Sequence, residues 1–254
     1  MTGSAATPGE SVLGRIVRIL AVFEPDRPEV AVTAIARSSG LHVATASRLV
    51  AQLVEHGLLE RTDGGRIRVG MRLWELGQRA SPTRSLREAV MPFLEDLHAA
   101  VGHHVQLGVL DGSEVIFLER LSAPQAVINY TRIAGRLPLH ASSSGLVLLA
   151  HARAELQERI LTSSLERFTA RTVVDAGELR RLLARIRHDG AVVTEGFIHP
   201  DATGVAVPVR DAAGDVVAAL STIQPTGGTA GAFVPALRAA AHGIRRTLPD
   251  PLSH

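Results

Sequence analysis

The stretch "SSGLHVATASRLVAQLVEHGLLERTDGGRIRVG", Ser38 to Gly70, decides the fold of the N-terminal region. Gly40 predicts the end of a short helix, because glycine favours the left-handed C-terminal cap. Apolar residues at helical spacing predict a second helix from about Val43 to His56, which Gly57 ends. Two short strands, "LLERT" and "RIRVG", follow and are joined by Asp63-Gly64-Gly65, a hairpin signal. Helix, glycine turn, helix and two-stranded ribbon is the order of a winged helix-turn-helix.

The second predicted helix of this stretch has one apolar stripe and one polar face. Thr45, Arg48 and Gln52 lie on the polar face at spacings of three and four. Ser47 and Arg48 suit phosphate contacts, whereas Thr45 and Gln52 have the length to reach base edges in a major groove. On the ribbon, Arg66 alternates with Ile67, so it shares a strand face with the next arginine, Arg68. Two arginines on one strand face suit the DNA backbone or the minor groove.

The same pattern also fits a plain helical hairpin with a solvated polar face. Charge favours the DNA-binding reading, because residues 31–80 hold seven arginines against four acidic residues. The whole chain has a net charge of +2, and all 27 basic residues are arginine, which binds phosphate bidentately.

Composition excludes several classes of protein. No cysteine is present, which rules out disulfides, thiolate metal sites and cysteine nucleophiles and fits a reducing cytoplasm. The N-terminal ten residues lack a basic start and an apolar run, and no stretch reaches 18 uninterrupted apolar residues. We therefore expect a soluble, cytoplasmic protein with no membrane partner.

Beyond a boundary near Ser81-Pro82, helices and alternating strands are mixed. This mixture predicts an α+β domain with a mostly antiparallel sheet. The predicted domains are a winged helix-turn-helix over 10–70, a linker helix over 71–81 and a sensor domain over 82–250.

The motif "LHASSSG", Leu139 to Gly145, stands at the start of a predicted helix. Serine hydroxyls and free backbone N–H groups at a helix N-terminus favour an anion such as a carboxylate. The alternative is that Ser142 or Ser143 only caps the helix. Asn129 and Arg136 precede this motif and are candidates to line the same cavity.

The sequence does not favour a metal site or a hydrolytic triad. His103 and His104 are adjacent in a predicted strand and point to opposite faces, so they do not share an ion. A triad built from His140, the serines and Asp201 lacks the Gly-x-Ser-x-Gly elbow. We predict no enzyme activity, no cofactor and no metal.

Taken together, the motifs resemble IclR-type transcriptional regulators over almost the full chain. The resemblance rests on "AIARSSGL", "TASRLVAQLVEHGLLER", a wing running into "RVGMRLWELG", "GRLPLHASSSGLVLLA" and "AVPVRDAAGDVVAALSTIQP". It implies a GAF-like effector-binding domain that takes a small molecule, usually an organic acid. It also implies binding to DNA as a homodimer, often paired into a tetramer.

This sequence departs from the family pattern at several positions. Val43 and Ala44 stand where the family often has a basic residue followed by serine, so contact with thymine methyl groups replaces phosphate contact. In the sensor domain the family tends to have an acidic cluster, of which only Glu195 is present here, in "GAVVTEGFIHP". The family often has two serines in its last strand; here one is Ser221 and the other is replaced by Ile223. Gly204, just before "VAVP", stands where the family has a small polar residue. These changes predict a less polar pocket and a more apolar effector, such as an aromatic acid or an acyl compound.

The sequence thus predicts a ligand-responsive repressor of a metabolic or catabolic operon that binds a palindromic operator as a dimer or tetramer. The open alternatives are an enzyme with an accessory helix-turn-helix and an architectural DNA-binding protein without a ligand. The candidate DNA contacts are Thr33, Arg37, Val43, Thr45, Ser47, Arg48, Gln52, Arg66 and Arg68. The candidate effector contacts are Asn129, Arg136, His140, Ala141, Ser142, Ser143, Ser144, Glu195, Gly204, Ser221 and Ile223.

Overall fold

The computed structural model describes residues 10–24, 27–77, 79, 81–123 and 135–248. The chain divides into two compact units, residues 1–81 and 82–254. Within the described residues, no helix combines the length and apolar character that a membrane span needs.

The first unit is a helical cluster followed by a small β-ribbon. Its elements are α1 (Val12–Leu20), α2 (Val32–Ser39), α3 (Val43–Glu55), β1 (Leu59–Arg61), β2 (Ile67–Val69) and α4 (Met71–Gly77). The two strands pair antiparallel, and this order confirms the predicted winged helix-turn-helix.

Local signals set the ends of these elements. The Ser11 hydroxyl accepts a hydrogen bond from the Gly14 amide at 3.1 Å and so caps α1, as its sequence predicts. That helix ends at Leu20, and Ala21 forms its C-terminal cap. Gly40 ends α2 with φ of 64°, a left-handed value that favours glycine.

Apolar side chains of all three leading helices and the ribbon form one core. It is built from Ile19, Val30, Ile35, Leu49, Val50, Leu53, Leu59 and Ile67. The ribbon is fastened to the helices by Val30, whose backbone pairs with that of Ile67 through two hydrogen bonds of 2.8 and 2.9 Å. The apolar face of α3 is therefore inside, and its polar face remains outside.

The second unit contains a six-stranded sheet. Its elements are α5 (Ser81–Val101), β3 (His104–Asp111), β4 (Glu114–Leu121), β5 (Arg136–Pro138), α6 (Ser143–His151), α7 (Ala154–Leu161), α8 (Ala176–Asp189), β6 (Val192–Glu195), β7 (Ala202–Arg210), β8 (Val216–Pro225), a 3-10 turn (Ala230–Phe233) and α9 (Val234–Thr247). The predicted final helix over 230–247 thus begins as a 3-10 turn.

The strand order is β5-β4-β3-β8-β7-β6, and each of these pairings is antiparallel. This confirms the prediction of an α+β domain with a mostly antiparallel sheet. Helices α6, α7 and α8 pack on one face, and α5 and α9 pack on the other. Each face has its own core of leucine, valine, isoleucine and alanine, so the sheet is covered on both sides.

Candidate functional site

The outer face of α3 carries the residues predicted to read DNA. Val43, Ser47, Arg48 and Gln52 are exposed, and Thr45 is half-buried. The buried face opposite them holds Ala46, Leu49, Val50 and Leu53, which fixes the helix on the core. The polar face is therefore presented to solvent along 13 residues of helix.

Two further predicted contacts lie on α2, one turn apart. Thr33 and Arg37 are both exposed at a spacing of four, so they share a helix face. Among the described residues, neither Arg37 nor Arg48 has a hydrogen-bond or ion-pair partner. Both guanidinium groups are thus available to phosphate.

The arginines of the wing are held by the protein itself. Arg68 donates two hydrogen bonds of 3.0 Å to the carboxylate of Glu60, its cross-strand neighbour. This ion pair lowers the pKa of Glu60 and raises that of Arg68, through the hydrogen bonds first and then through charge. Arg66 precedes β2 and donates to the Glu29 carbonyl at 2.9 Å. Contact between Arg68 and a phosphate requires exchange of one anion for another.

The second unit contains a cavity between the sheet and the start of α6. It encloses about 480 Å³ that protein atoms do not occupy, part of it at an open mouth. The lining residues described are Gln106, Phe117, Leu137, Ala141, Ser142, Ser143, Ser144, Thr194, Ile198, His199, Ala202, Gly204 and Ile223.

Three serines form the roof of this cavity, each in a different role. Ser142 caps α6, accepting from the Gly145 amide at 3.1 Å and donating to the Pro138 carbonyl at 3.1 Å. Ser144 donates to the Ser221 hydroxyl on β8 at 2.8 Å, which ties α6 to the sheet. Within the described part of the chain, the Ser143 hydroxyl has no partner.

The start of α6 also offers backbone donors. The first backbone hydrogen bond that its cap closes runs from the Leu146 amide to the Ser142 carbonyl, 2.9 Å. The amides of Ser143 and Ser144 precede it and have no acceptor inside the helix. Together with the helix dipole they favour an anion. No arginine is among the lining residues described, so a carboxylate at this end of the cavity would be held by neutral backbone donors and not by a guanidinium group.

Apolar groups make up most of the remaining wall. It is lined by Phe117, Leu137, Ile198 and Ile223. The sheet forms the floor of the cavity, where Gly204 of β7 has no side chain that would fill the space. A Cβ at Gly204 would lie 2.6 Å from the Ser143 hydroxyl oxygen, so a side chain there would occupy space between floor and roof. The cavity therefore has backbone amide donors at the start of α6 and mainly apolar side chains along the rest of its described lining.

Six predicted effector contacts line this cavity: Ala141, Ser142, Ser143, Ser144, Gly204 and Ile223. Ser221 is not among the lining residues, but its hydroxyl accepts the hydrogen bond from the Ser144 hydroxyl. Asn129 lies outside the described residues.

Three other predicted contacts are placed elsewhere. Arg136 is exposed and pairs with Asp111 and with Glu114, the latter at 3.5 Å. Glu195 is exposed and pairs with Arg171 at 3.1 Å. His140 is buried at the edge of the cavity, with its Nε2 atom 2.9 Å from the Glu166 carbonyl and its ring against Phe168.

Sequence reasoning missed several cavity residues, three of them on strands of the sheet. Gln106 and Thr194 come from strands far apart in the chain, and Phe117 comes from a third. A polar residue inside the apolar strand "HVQLGVL" is the signal that points to Gln106, because buried glutamine is uncommon. Ile198 and His199 follow β6 in an irregular segment, for which the sequence has no periodic signal.

No group of three or more His, Cys, Asp or Glu side chains among the described residues is arranged to hold a metal ion. The His140 ring is engaged with a backbone carbonyl instead of a serine hydroxyl.

Comparison with known proteins gives the same family for both units. The family model for the C-terminal region of bacterial IclR transcriptional regulators matches residues 78–246, and the model for the IclR helix-turn-helix domain matches residues 12–63. The chain is 32% identical over 209 residues to the transcriptional regulator XynR of Escherichia coli K12, covering 82% of this chain and 83% of XynR. It is 28% identical over 223 residues to the transcriptional repressor AllR of the same strain, covering 87% of this chain and 82% of AllR.

A solved structure matches both units together. It is the crystal structure of an IclR homologue from Microbacterium hydrocarbonoxydans complexed with 4-hydroxybenzoate. Sequence identity is 47%, the TM-score is 0.89, and the match covers 94% of this chain and 99% of that one. The resemblance read from the sequence is thereby confirmed. The chain belongs to the IclR family of DNA-binding transcriptional regulators, non-enzymatic proteins that join a helix-turn-helix domain to an effector-binding domain.

Proposed function

We propose that this chain is a repressor whose affinity for its operator changes when an aromatic carboxylic acid binds in the cavity beneath α6. The observation that carries the proposal is the cavity itself, with anion donors at one end and an apolar slot between α6 and the sheet. The 4-hydroxybenzoate complex of the Microbacterium homologue supports the same ligand class, and the relation to AllR supports repression. A catabolic operon for aromatic acids is the target that this effector implies.

In this account the carboxylate accepts hydrogen bonds from the Ser143 and Ser144 amides and from the Ser143 hydroxyl. These are the donors that the α6 cap leaves without a partner. The ring fills the slot between Phe117 and Ile223, where burial of apolar surface adds to affinity. Ala141, Ser142 and Gly204 shape the same space, and Ser221 holds Ser144. Arg136, His140 and Glu195 receive no direct ligand contact.

On the DNA side, α3 enters the major groove and the ribbon lies on the flanking backbone. Val43, Thr45 and Gln52 face the bases, whereas Ser47 and Arg48 meet phosphates. Thr33 and Arg37 on α2 and Arg66 and Arg68 on the wing add backbone contacts. The functional division is 10–70 for DNA, 71–81 for the connecting segment that contains α4, and 82–250 for the effector.

A homodimer is required to read a palindrome, and the first unit carries apolar surface suited to it. Val12, Leu13 and Val17 on α1 are exposed by 52, 69 and 56%, and Met71 and Trp74 on α4 by 68 and 61%. Exposed apolar clusters of this kind mark protein interfaces. Two copies then place two α3 helices on half-sites one turn apart or a multiple of it, and pairing of dimers gives the tetramer.

The effector must distinguish two arrangements of the regulator to act at all. Only a ligand with unequal affinity for the DNA-competent and DNA-free states shifts their populations. The connecting segment over 71–81, which contains α4, is the part of the chain through which we propose that the shift reaches α3.

Calorimetric titration of 4-hydroxybenzoate into wild-type protein and the Ser143→Leu variant tests the effector assignment. We expect micromolar binding by the wild type and at least tenfold weaker binding by the variant, since leucine removes the hydroxyl and fills the roof. Gel shifts without ligand serve as the control, because both proteins should hold DNA equally. Equal ligand affinities in the two proteins would move the effector site elsewhere.

A further inference from the structure

Gln106 occupies an unusual place in the sensor domain. It lies in the middle of β3, opposite Ser221 of β8 and Arg120 of β4, and its side chain is fully buried while lining the cavity. The serine beside it, Ser221, is already engaged with Ser144 of α6. Gln106 is thus the buried amide on the floor of a largely apolar slot.

Both Nε2 and Oε1 of Gln106 are buried without a hydrogen bond among the described residues. Buried polar groups are nearly always paired, because an unpaired one forfeits its hydration with no return. Since the amide faces the cavity, a molecule bound there is in position to supply both missing bonds.

The chemistry of an amide restricts what that molecule presents. Nε2 donates and Oε1 accepts, side by side on one planar group. A carboxylate only accepts, so at Gln106 it would leave Oε1 unpaired and facing a like partial charge. A hydroxyl both donates and accepts, and it satisfies both atoms.

We infer that Gln106 is a specificity-determining residue that binds a ring hydroxyl of the effector, while the carboxylate is held at the start of α6. The cavity therefore selects hydroxylated aromatic acids over unsubstituted ones. This inference rests on the proposed function, because it assumes an aromatic acid in this cavity. It adds that the hydroxyl is recognised and names the residue that recognises it.

Discrimination follows from what happens when the hydroxyl is missing. Benzoate would bury Gln106 beneath an apolar ring edge and leave both amide atoms unpaired. Sites that hydrogen-bond a substrate hydroxyl reject the analogue that lacks it far better than apolar sites reject a missing methylene. The hydroxylated acid gains one neutral hydrogen bond and gives the buried Gln106 amide a partner that benzoate lacks. We therefore expect it to bind at least about tenfold more tightly than benzoate.

The test is a calorimetric titration of benzoate, the three monohydroxybenzoates and 4-methoxybenzoate into wild-type protein and Gln106→Met. Methionine matches glutamine in length and has no comparable donor. In the wild type, we expect the best hydroxybenzoate to bind at least about tenfold more tightly than benzoate, and 4-methoxybenzoate to gain less because it cannot donate. In Gln106→Met, this ratio falls to within about twofold of unity while benzoate binding is kept or improved.

A matched control separates recognition from general damage. Thr222 is also buried, and its hydroxyl has no partner among the described residues, but it lies on β8 next to Ile223 of the cavity lining and so faces the other side of the sheet. Thr222→Val should leave the hydroxybenzoate-to-benzoate ratio at the wild-type value. The ratio compares two ligands on one protein, so a loss of stability in either variant does not change it.

The outcomes are distinguishable from failure of the proposed function. A Gln106→Met protein with the wild-type ratio would overturn the role of Gln106 and leave the aromatic-acid cavity standing. A wild type that binds benzoate and the hydroxybenzoates equally would do the same. A wild type that binds none of these acids would overturn the proposed effector and this inference with it.

Discussion

Substituting alanine for Gly145 should disable the anion-binding end of the cavity. A Cβ at Gly145 would lie 2.6 Å from the Ser142 hydroxyl oxygen, 2.7 Å from the Leu139 Cα and 2.8 Å from the Leu139 carbonyl oxygen. Two of these three atoms belong to backbone and cannot rotate away. Reaching an ordinary contact of 3.4 Å from the 2.7 Å position requires the start of α6 to move by about 0.7 Å.

The cost follows from that displacement. Overpacking a tight core costs about 1–3 kcal/mol, and a weakened N-cap adds about 1 kcal/mol. The better helix propensity of alanine offsets roughly 1 kcal/mol of this. A net loss of about 1–3 kcal/mol lowers the Tm of a domain of this size by roughly 2–12 °C. Hydrogen bonds from the Ser143 and Ser144 amides lengthen by a similar distance, so 4-hydroxybenzoate affinity should fall by about tenfold or more.

Differential scanning calorimetry and ligand titration measure the two effects together. Gly231→Ala is the matched control, since no heavy atom lies within 4 Å of a Cβ there, and both its Tm and its ligand affinity should stay at the wild-type values. If Gly145→Ala keeps wild-type affinity for 4-hydroxybenzoate, the start of α6 does not hold the carboxylate.

Three further predictions concern other parts of the chain. Gly204→Ala should weaken 4-hydroxybenzoate binding, because its Cβ would lie 2.6 Å from the Ser143 hydroxyl oxygen and 2.9 Å from the Thr194 hydroxyl oxygen; unchanged affinity in titration would count against a ligand there. Glu60→Gln removes the carboxylate that Arg68 must leave to reach a phosphate, so anisotropy titrations at low salt should show tighter DNA binding, whereas an unchanged Kd would count against a phosphate contact by Arg68. The pKa of His151 lies below its usual 6.5, first because the ring is partly buried and also because Arg210 and Arg187 are near it. The contribution of neutral His151 to folding stability is therefore fully present above pH 6.5 and is lost as the pH falls below 6.5. His151→Gln should therefore flatten the decline of Tm with acidification, and a decline as steep as in the wild type would assign it to other groups.

Local signals in the sequence were sufficient for the DNA-binding unit. The cap at Ser11, the glycine turn at Gly40 and the apolar stripe of α3 depend on residues within one or two helical turns, and each appears in the structure as predicted. The roof of the cavity was found for the same reason, since "LHASSSG" is a contiguous motif at a helix start.

What the sequence did not reveal depends on pairing between distant segments. Gln106 lies beside Ser221 only because β3 and β8 are neighbours in the sheet, 115 positions apart in the chain. The pairing of Glu195 with Arg171 is likewise tertiary, and it draws this carboxylate to the surface. At the wing, the register that sets Glu60 against Arg68 follows once the hairpin turn is fixed, so that ion pair was within reach of sequence reasoning.

The most direct test of the account is the binding of an operator fragment, taken from the DNA upstream of the protein's own gene, with and without saturating 4-hydroxybenzoate. Fluorescence anisotropy at low ionic strength should give saturable binding, and the acid should raise the Kd for this fragment by at least tenfold. Ser143→Leu should bind the fragment equally well and show no response to the acid. A protein that ignores the fragment, or whose Kd is the same with the cavity filled and empty, would contradict the claim that the effector domain controls the DNA-binding domain.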